Sequence, residues 1–382
     1  MAVTGAGGEP AAHVGRGWAG RVRPGEASGA ARGGEVRLAG YTTLRLGGPA
    51  RAFAEARTEP DVVSAVRCAD AAGVPVLVLG GGSNLVVADE GFPGTVVHVA
   101  TRGVEIRRDR DDVLLTAAAG EDWDAIVARC VAGGLAGVEC LAGIPGLAGA
   151  TPIQNVGAYG QDVAQTVTAV RAFDRAAGDV VTLDAAACGF GYRTSMFKRG
   201  PGRFVVLEVT FNLSPERLSR PIRYAELASS LGVAAGQRVP LGEVRDAVLD
   251  LRRGKAMVLD PADPDTSSAG SFFTNPVLGP DQFAAFEAVV RRRLGPGAAI
   301  PRFPAPGGVK VPAAWLIERA GFRKGYAAWG ARISSRHTLA LTNPGGATAA
   351  GLVALAREIR DAVRDAFGVT LVPEPVLVGV HL

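Results

Sequence analysis

The chain has 382 residues, 48% hydrophobic and 20% charged, with a formal net charge of +4. That length allows two or three domains with large cores, and the composition is that of an ordinary globular protein rather than a disordered or fibrous one. Acids are interspersed among the basic residues, so a nucleic-acid-binding patch is not indicated, and no apolar run is long enough to span a bilayer. The N-terminus has no apolar segment of the secretory kind. Cys68, Cys130, Cys140 and Cys188 show neither a C-x-x-C spacing nor a histidine at zinc-ligand distance, so no metal site is expected and a reducing cytoplasm is the expected setting.

Residues 1–34 are rich in Gly, Ala and Arg without apolar periodicity and read as a disordered tail. Tyr41-Thr-Thr-Leu-Arg-Leu-Gly-Gly48 alternates like a strand. Thr58-Glu-Pro-Asp61 is a helix start, with Val62, Val63, Val66 and Ala69 on one face and Gly73 as the stop. Val74–Leu79 reads as a buried strand entering Gly80-Gly81-Gly82-Ser83-Asn84. This is close to a dinucleotide fingerprint, but Leu85 stands where a third glycine is needed and another strand follows, which disfavours a Rossmann fold. The turn is either a nest of N–H groups for a pyrophosphate or a plain glycine-rich hairpin.

Strands are expected at Thr95–Val99 and Val113–Ala118, then a helix from Glu121 with Trp123, Ile126, Val127, Cys130 and Val131 on its buried face. Gly143 to Gly160 contains five glycines and two prolines and no charge. It suits a loop covering a flat, phosphate-bearing cofactor, and equally a tightly packed irregular core loop. Strands near Val167–Asp174, Val180–Leu183 and Phe204–Leu213 follow, and from Ser214 the texture changes. Helices are expected near Leu241–Arg253, Asp281–Leu294, Ala313–Ala320 and Gly351–Phe367, and short strands at Val369–Val372 and Val376–Val380.

Four polar groups stand where local propensity does not ask for them. Arg193 follows a Gly-Phe-Gly-Tyr run and suits an anion held against a flat ring. Ser271 carries the lone hydroxyl between Gly270 and Phe272-Phe273, and Glu374 is clamped between Pro373 and Pro375, where burial would raise its pKa. Lys255, with Arg252 and Arg253, reads as a solvated helix end. The plainer readings are a salt bridge for Arg193, a turn cap for Ser271 and an edge-strand kink for Glu374.

Together with Gly80-Gly-Gly-Ser-Asn84, Gly143-Ile-Pro-Gly146, Gln154-Asn-Val-Gly-Ala-Tyr-Gly160, Gly270-Ser-Phe-Phe-x-Asn-Pro276 and Pro373-Glu374, these residues give a pattern that resembles the UDP-N-acetylenolpyruvoylglucosamine reductase family in its longer subtype. The resemblance runs from about Tyr41 to Val378 with the motifs in the family's order. It implies an α+β fold with an FAD-binding unit of the vanillyl-alcohol-oxidase (PCMH) type. That unit would comprise two subdomains over residues 35–214, completed by C-terminal strands 369–382, with an α+β substrate-binding domain over 215–368. It implies NADPH-dependent reduction of UDP-N-acetylglucosamine enolpyruvate to UDP-N-acetylmuramate through FAD, in peptidoglycan synthesis, by a cytoplasmic monomer. Ser271 would protonate C2 of the substrate, and Arg193 and Glu374 would stabilise the enolate. FAD would be held by Gly80, Gly81, Gly82, Ser83, Asn84, Gly143, Pro145, Gly146, Gly149, Ala150, Gln154, Asn155, Gly157 and Tyr159. Tyr224, Lys255 and Asn275 match positions that bind the nucleotide sugar, with Lys310 as a further candidate for the diphosphate. An alcohol or lactone oxidase on the same flavin fold is the rival enzyme reading. A non-catalytic sugar-nucleotide binder would be expected to lack one of Arg193, Ser271 and Glu374, and all three are present.

Overall fold

The computed structural model describes residues 36–109 and 112–382, so the tail expected over 1–34 lies outside the described residues. Helix Glu59–Ala71 begins at the predicted signal. Thr58 Oγ1 accepts the Asp61 N–H at 3.3 Å, and Asp61 Oδ2 accepts the Thr58 N–H at 3.0 Å. This reciprocal cap satisfies donors that a helix start leaves open, and Pro60 occupies a position where no donor is required. The helix buries Val62, Val66 and Ala69 and links strand Ala50–Ala56 to strand Val76–Leu79. Both strands flank Phe92–Val99 in a three-stranded parallel sheet. Leu85–Val87 pairs elsewhere, in parallel with Val376–Val378.

The alternation over Tyr41–Gly48 does not form a strand. Leu38–Tyr41 is a 3-10 turn, Arg45 has φ +54°, and Thr42 Oγ1 donates to Leu46 O at 2.8 Å. Leu44 and Leu46 therefore reach the core from a turn rather than from a ladder.

A five-stranded antiparallel sheet follows, ordered Asp179–Asp184, Val167–Asp174, Phe204–Leu213, Asp112–Ala118, Val104–Asp109. Helix Trp123–Ala132, capped by Asp122, packs on it, with the buried Trp123 ring 5.5 Å from that of Phe211. A side chain buried this completely contributes about 1.5–3 kcal/mol. Helices Ala225–Leu231 and Leu241–Gly254 join the same core through Leu227, Val244, Val248 and Leu249. The segment after Ser214 thus packs against the antiparallel sheet, and the packing border falls near residue 258 rather than at 214. An apolar helix face announces burial without saying against which core.

The remaining lobe sets a four-stranded sheet (Ser268–Ser271, Ala340–Thr342, Ala331–Ile333, Ala327–Ala328) beside helices Pro280–Leu294, Ala313–Arg319 and Ala349–Phe367. The last helix buries Leu352, Leu355, Ala356, Ile359, Val363 and Phe367, as their spacing requires, and Gly368 ends it at φ +70°. Val369–Val372, expected as a strand, is not one. It runs alongside residues 272–274 through isolated contacts, with the Thr274 N–H donating to Val372 O at 3.0 Å. Mixed helices and separate parallel and antiparallel sheets make the fold α+β, as expected.

Candidate active site

The central parallel sheet delivers the chain into Gly80–Asn84, and this turn meets the Gly143–Gly160 loop. A Cβ on Gly81 would stand 2.9 Å from Gly146 Cα, and one on Gly146 would stand 2.8 Å from Ser83 Oγ. Gly82 has φ +57°, and a Cβ there would fall 1.9 Å from Tyr41 O. Only glycine lets these backbones approach so closely. No hydrogen bond among the described residues engages the N–H of Gly81, Gly82, Ser83 or Asn84. A run of four consecutive donors without acceptors fits an anionic pyrophosphate and does not fit a self-satisfied hairpin.

Other glycines of the loop have a different job. The Gly143 N–H donates to Asp124 Oδ1 at 2.7 Å, the Gly149 N–H to Ala119 O at 3.0 Å, and the Ala150 N–H to Leu147 O at 3.0 Å. These three, with Pro145 between them, shape the loop. Asn155, at φ +50°, accepts the Ala164 N–H on Oδ1 and donates from Nδ2 to Gly191 O, so both ends of its amide hold the loop. Gln154 Oε1 instead accepts Asn84 Nδ2 at 2.7 Å, tying loop to turn.

Arg193 sits with Tyr192 at the tip of a two-residue turn closed by Gly191 and Thr194, at φ +53°. A non-glycine residue there costs about 1–2 kcal/mol of backbone energy. The guanidinium is fixed by Nη2 donating to Gly157 O at 2.7 Å and Nη1 to Asn155 O at 3.4 Å. Its Nε lies 3.1 Å from Glu374 Oε1, a charge contact whose N–H is not aligned as a hydrogen bond.

Glu374 arrives by a separate route. Its N–H donates to Phe272 O at 2.8 Å, its carbonyl accepts Asn84 Nδ2 at 3.3 Å, and the Val376 N–H donates to Asn84 O at 2.9 Å. Asn84 therefore binds the glycine turn, Gln154 and the Glu374 segment into one unit. Burial pushes the Glu374 carboxyl above the usual carboxylate range, while Arg193 and Lys198 pull the other way. Ser271 ends its strand one residue before Phe272, the acceptor of the Glu374 amide, and Phe272 and Phe273 are both buried beneath it. Hydroxyl, guanidinium and carboxyl are thus drawn into one neighbourhood. Ser271 Oγ also lies 3.4 Å from His337 Nε2.

Next to this cluster is an open cavity of about 490 Å³ lined by Glu226, Lys255, Lys324, Arg336 and His337. Lys255 Nζ lies 2.7 Å from the Glu226 carboxylate and 5.8 Å from the centre of the Tyr159 ring, which meets Tyr224 edge-on at 5.5 Å. Tyr159, expected among the flavin contacts, therefore stands with Tyr224 and Lys255, and desolvation pushes its hydroxyl pKa up to about 12. Lys310 Nζ lies 5.0 Å from the Tyr192 ring centre, on the Arg193 side. Asn275 Oδ1 accepts the Ala313 N–H at 2.9 Å and so starts helix Ala313–Arg319; only its NH₂ remains for a ligand.

Sequence reasoning missed three groups. Lys198 follows Arg193 by five residues on the short helix Met196–Arg199, where it reads as an ordinary helix end; burial lowers its pKa, Glu374 opposes that and Arg193 adds to it. Arg252, read as part of a solvated helix end, is 7% exposed, with burial lowering its pKa to about 10. His337, in a polar Ser-Ser-Arg-His-Thr stretch, gave no signal at all. Among the described residues no three His, Cys, Asp or Glu side chains gather to hold a metal ion.

Comparison with known proteins points the same way. Residues 50–184 match the model of an FAD binding domain, and residues 261–378 match that of the UDP-N-acetylenolpyruvoylglucosamine reductase C-terminal domain. The UDP-N-acetylenolpyruvoylglucosamine reductase of Thermobifida fusca is 60% identical over 91% of this chain and 98% of its own. That of Streptomyces coelicolor is 59% identical over 91% and 90%. Among solved structures, the UDP-N-acetylenolpyruvylglucosamine reductase of Thermus caldophilus superposes with a TM-score of 0.60 at 26% identity, covering 90% of this chain and 98% of that one.

Proposed function

The chain belongs to the UDP-N-acetylenolpyruvoylglucosamine reductase family, and from that premise we propose how its residues divide the reaction. It is an FAD-dependent oxidoreductase that uses NADPH to reduce UDP-N-acetylglucosamine enolpyruvate to UDP-N-acetylmuramate in peptidoglycan precursor synthesis. Identity to reductases at this level disfavours the oxidase alternative. FAD, when bound, would supply the hydride-transfer chemistry that links NADPH to the enolpyruvyl double bond.

The amides of Gly81 to Asn84 would hold the FAD pyrophosphate, while Asn155 and Gln154 keep the covering loop in place. As hydride reaches C3, charge develops on the substrate carboxylate. Arg193, already oriented by the Gly157 and Asn155 carbonyls, stabilises that charge without having to reorganise. Glu374, inclined by burial to keep its proton, donates to or shares a proton with the same oxygen. Ser271 gives its hydroxyl proton to C2, a task that requires position more than acidity. Tyr159, Tyr224, Lys255 and the free NH₂ of Asn275 bind the nucleotide sugar, and Lys310 is a second cation for the diphosphate. The border of the substrate domain lies near residue 258, supported by the core shared between 222–249 and the antiparallel sheet. The setting is the cytoplasm and the active form a monomer; four unpaired thiols support the first, and no helix among the described residues is long and apolar enough to cross a membrane.

One observation carries the catalytic assignment: the Glu374 amide bonds to the residue after Ser271 while its carboxylate touches Arg193. Ser271→Ala tests it. The variant should keep its flavin and be bleached by NADPH, yet be reoxidised by the enolpyruvyl substrate about 100-fold or more slowly, following the general-acid range of about 10²–10⁴. Reoxidation at the native rate removes Ser271 from the reaction.

A further inference from the structure

Ser271 cannot protonate C2 repeatedly unless its hydroxyl is restocked, because a bare alkoxide is far too basic to persist. The overall reduction adds one hydride and one proton across the double bond, so one proton must enter from solvent in each cycle. Ser271 is half-buried, and its neighbours Phe272 and Phe273 and its strand partner Ala340 are buried and carry no proton to give. Among the described residues the hydroxyl has one titratable hydrogen-bond partner, His337 at 3.4 Å, and that side chain also lines the open cavity.

Resting on the reading of Ser271 as the donor to C2, we propose that His337 is its proton-relay partner, a positioning residue that orients the hydroxyl and replaces its proton from the cavity. As the Ser271 O–H bond breaks and a C2–H bond forms, the His337 Nε2–H bond breaks and the Oγ–H bond is remade. In the same step Nδ1 takes a proton from a solvent acid in the cavity, so the ring stays neutral throughout, and exchange with water returns it to its starting tautomer. Charge and protons balance, with one solvent proton consumed per hydride delivered.

The surroundings suit a relay better than a fixed acid. Desolvation, followed by Lys255, Lys324 and Arg252, lowers the His337 pKa to about 4 against a smaller opposing effect of Glu226, so the ring is neutral at physiological pH. A neutral imidazole presents one N–H and one lone pair, which is what passing a proton through requires. Lys255 and Lys324, with Arg336, also line the open cavity, the approach for an anionic nucleotide sugar. Its diphosphate would offset them and ease protonation of the ring when substrate is in place.

The test compares the two half-reactions in stopped flow. His337→Gln can hydrogen-bond to Ser271 but cannot relay. It should slow reoxidation by enolpyruvyl substrate on the order of 100-fold more than it slows reduction by NADPH. Equal effects on both halves, or none, overturn the proposal. If wild-type reduced protein itself fails to react with the enolpyruvyl sugar, the parent reading of the site falls instead. Two measurements on the unaltered protein stand if the variant does not fold. A proton inventory of reoxidation in mixed H₂O and D₂O should bow, as more than one proton is in flight; a straight line overturns the relay. Histidine-labelled NMR should show His337 neutral from about pH 5 to 8 in the free protein, and a resonance titrating near pH 6.5 overturns it as well.

Discussion

Arg193→Lys separates charge from geometry. The substitution keeps the positive charge and keeps the backbone at φ +53°, where lysine is as disfavoured as arginine, so the strain cancels between the two proteins. What disappears is the fork: a single ammonium cannot serve Gly157 O and Asn155 O while also facing Glu374. The Gly157 bond is short and charge-assisted, a type that contributes about 1.5–3 kcal/mol, whereas the 3.4 Å contact to Asn155 adds little. If orientation is what the transition state needs, about 2–3 kcal/mol is lost there, or roughly a 30- to 150-fold slower oxidative half-reaction. Rapid mixing of NADPH-reduced protein with enolpyruvyl substrate, followed at the flavin band, measures it. An Arg193→Lys protein reacting within a factor of about three of the native rate would show that a point charge suffices and refute preorganisation.

Gly82→Ala places a Cβ 1.9 Å from Tyr41 O at a positive φ, so the turn must shift and its N–H groups lose their convergence. The purified protein should be colourless or need added FAD for its absorbance, and full yellow colour would remove the nest from the cofactor site. For Glu374 the sign follows from burial: a raised pKa enlarges the protonated fraction in the folded state. Its stabilising share is complete below the ordinary carboxylate pKa and is lost as pH rises through the raised one. A step that uses the protonated form therefore slows on the alkaline side, and Glu374→Gln, permanently neutral, should lose that limb in a pH profile of reoxidation. An unchanged alkaline limb would assign it to another group.

How much of this was legible beforehand can be traced residue by residue. The Thr58 cap, the Ala349–Phe367 face and the glycine turn were readable because their causes are local: a cap needs three residues, and a helix face needs a repeat of three and four. Arg193, Ser271 and Glu374 stood out because each conflicts with its immediate neighbours. The bridge made by Asn84 joins residues 290 positions apart, and no local signal reports such a bond. That residues 222–249 share the core of the antiparallel sheet could not be read beforehand, because an apolar stripe does not name its partner. Tyr41–Gly48 misled because alternating burial can come from an irregular turn. His337 was invisible because its importance lies wholly in what stands 3.4 Å away.

Strand Val376–Val378, paired with Leu85–Val87, has a consequence for how the enzyme is born. The 290 positions between Asn84 and Glu374 must all be made before the carboxylate can reach its place, and joining such distant segments is slow because so much chain entropy is given up first. Both glycine-rich loops can be fully formed while the carboxylate is still missing. A nascent or clipped molecule could then take up cofactor and colour yet remain inert, so pigmentation reports on early assembly and turnover on its completion.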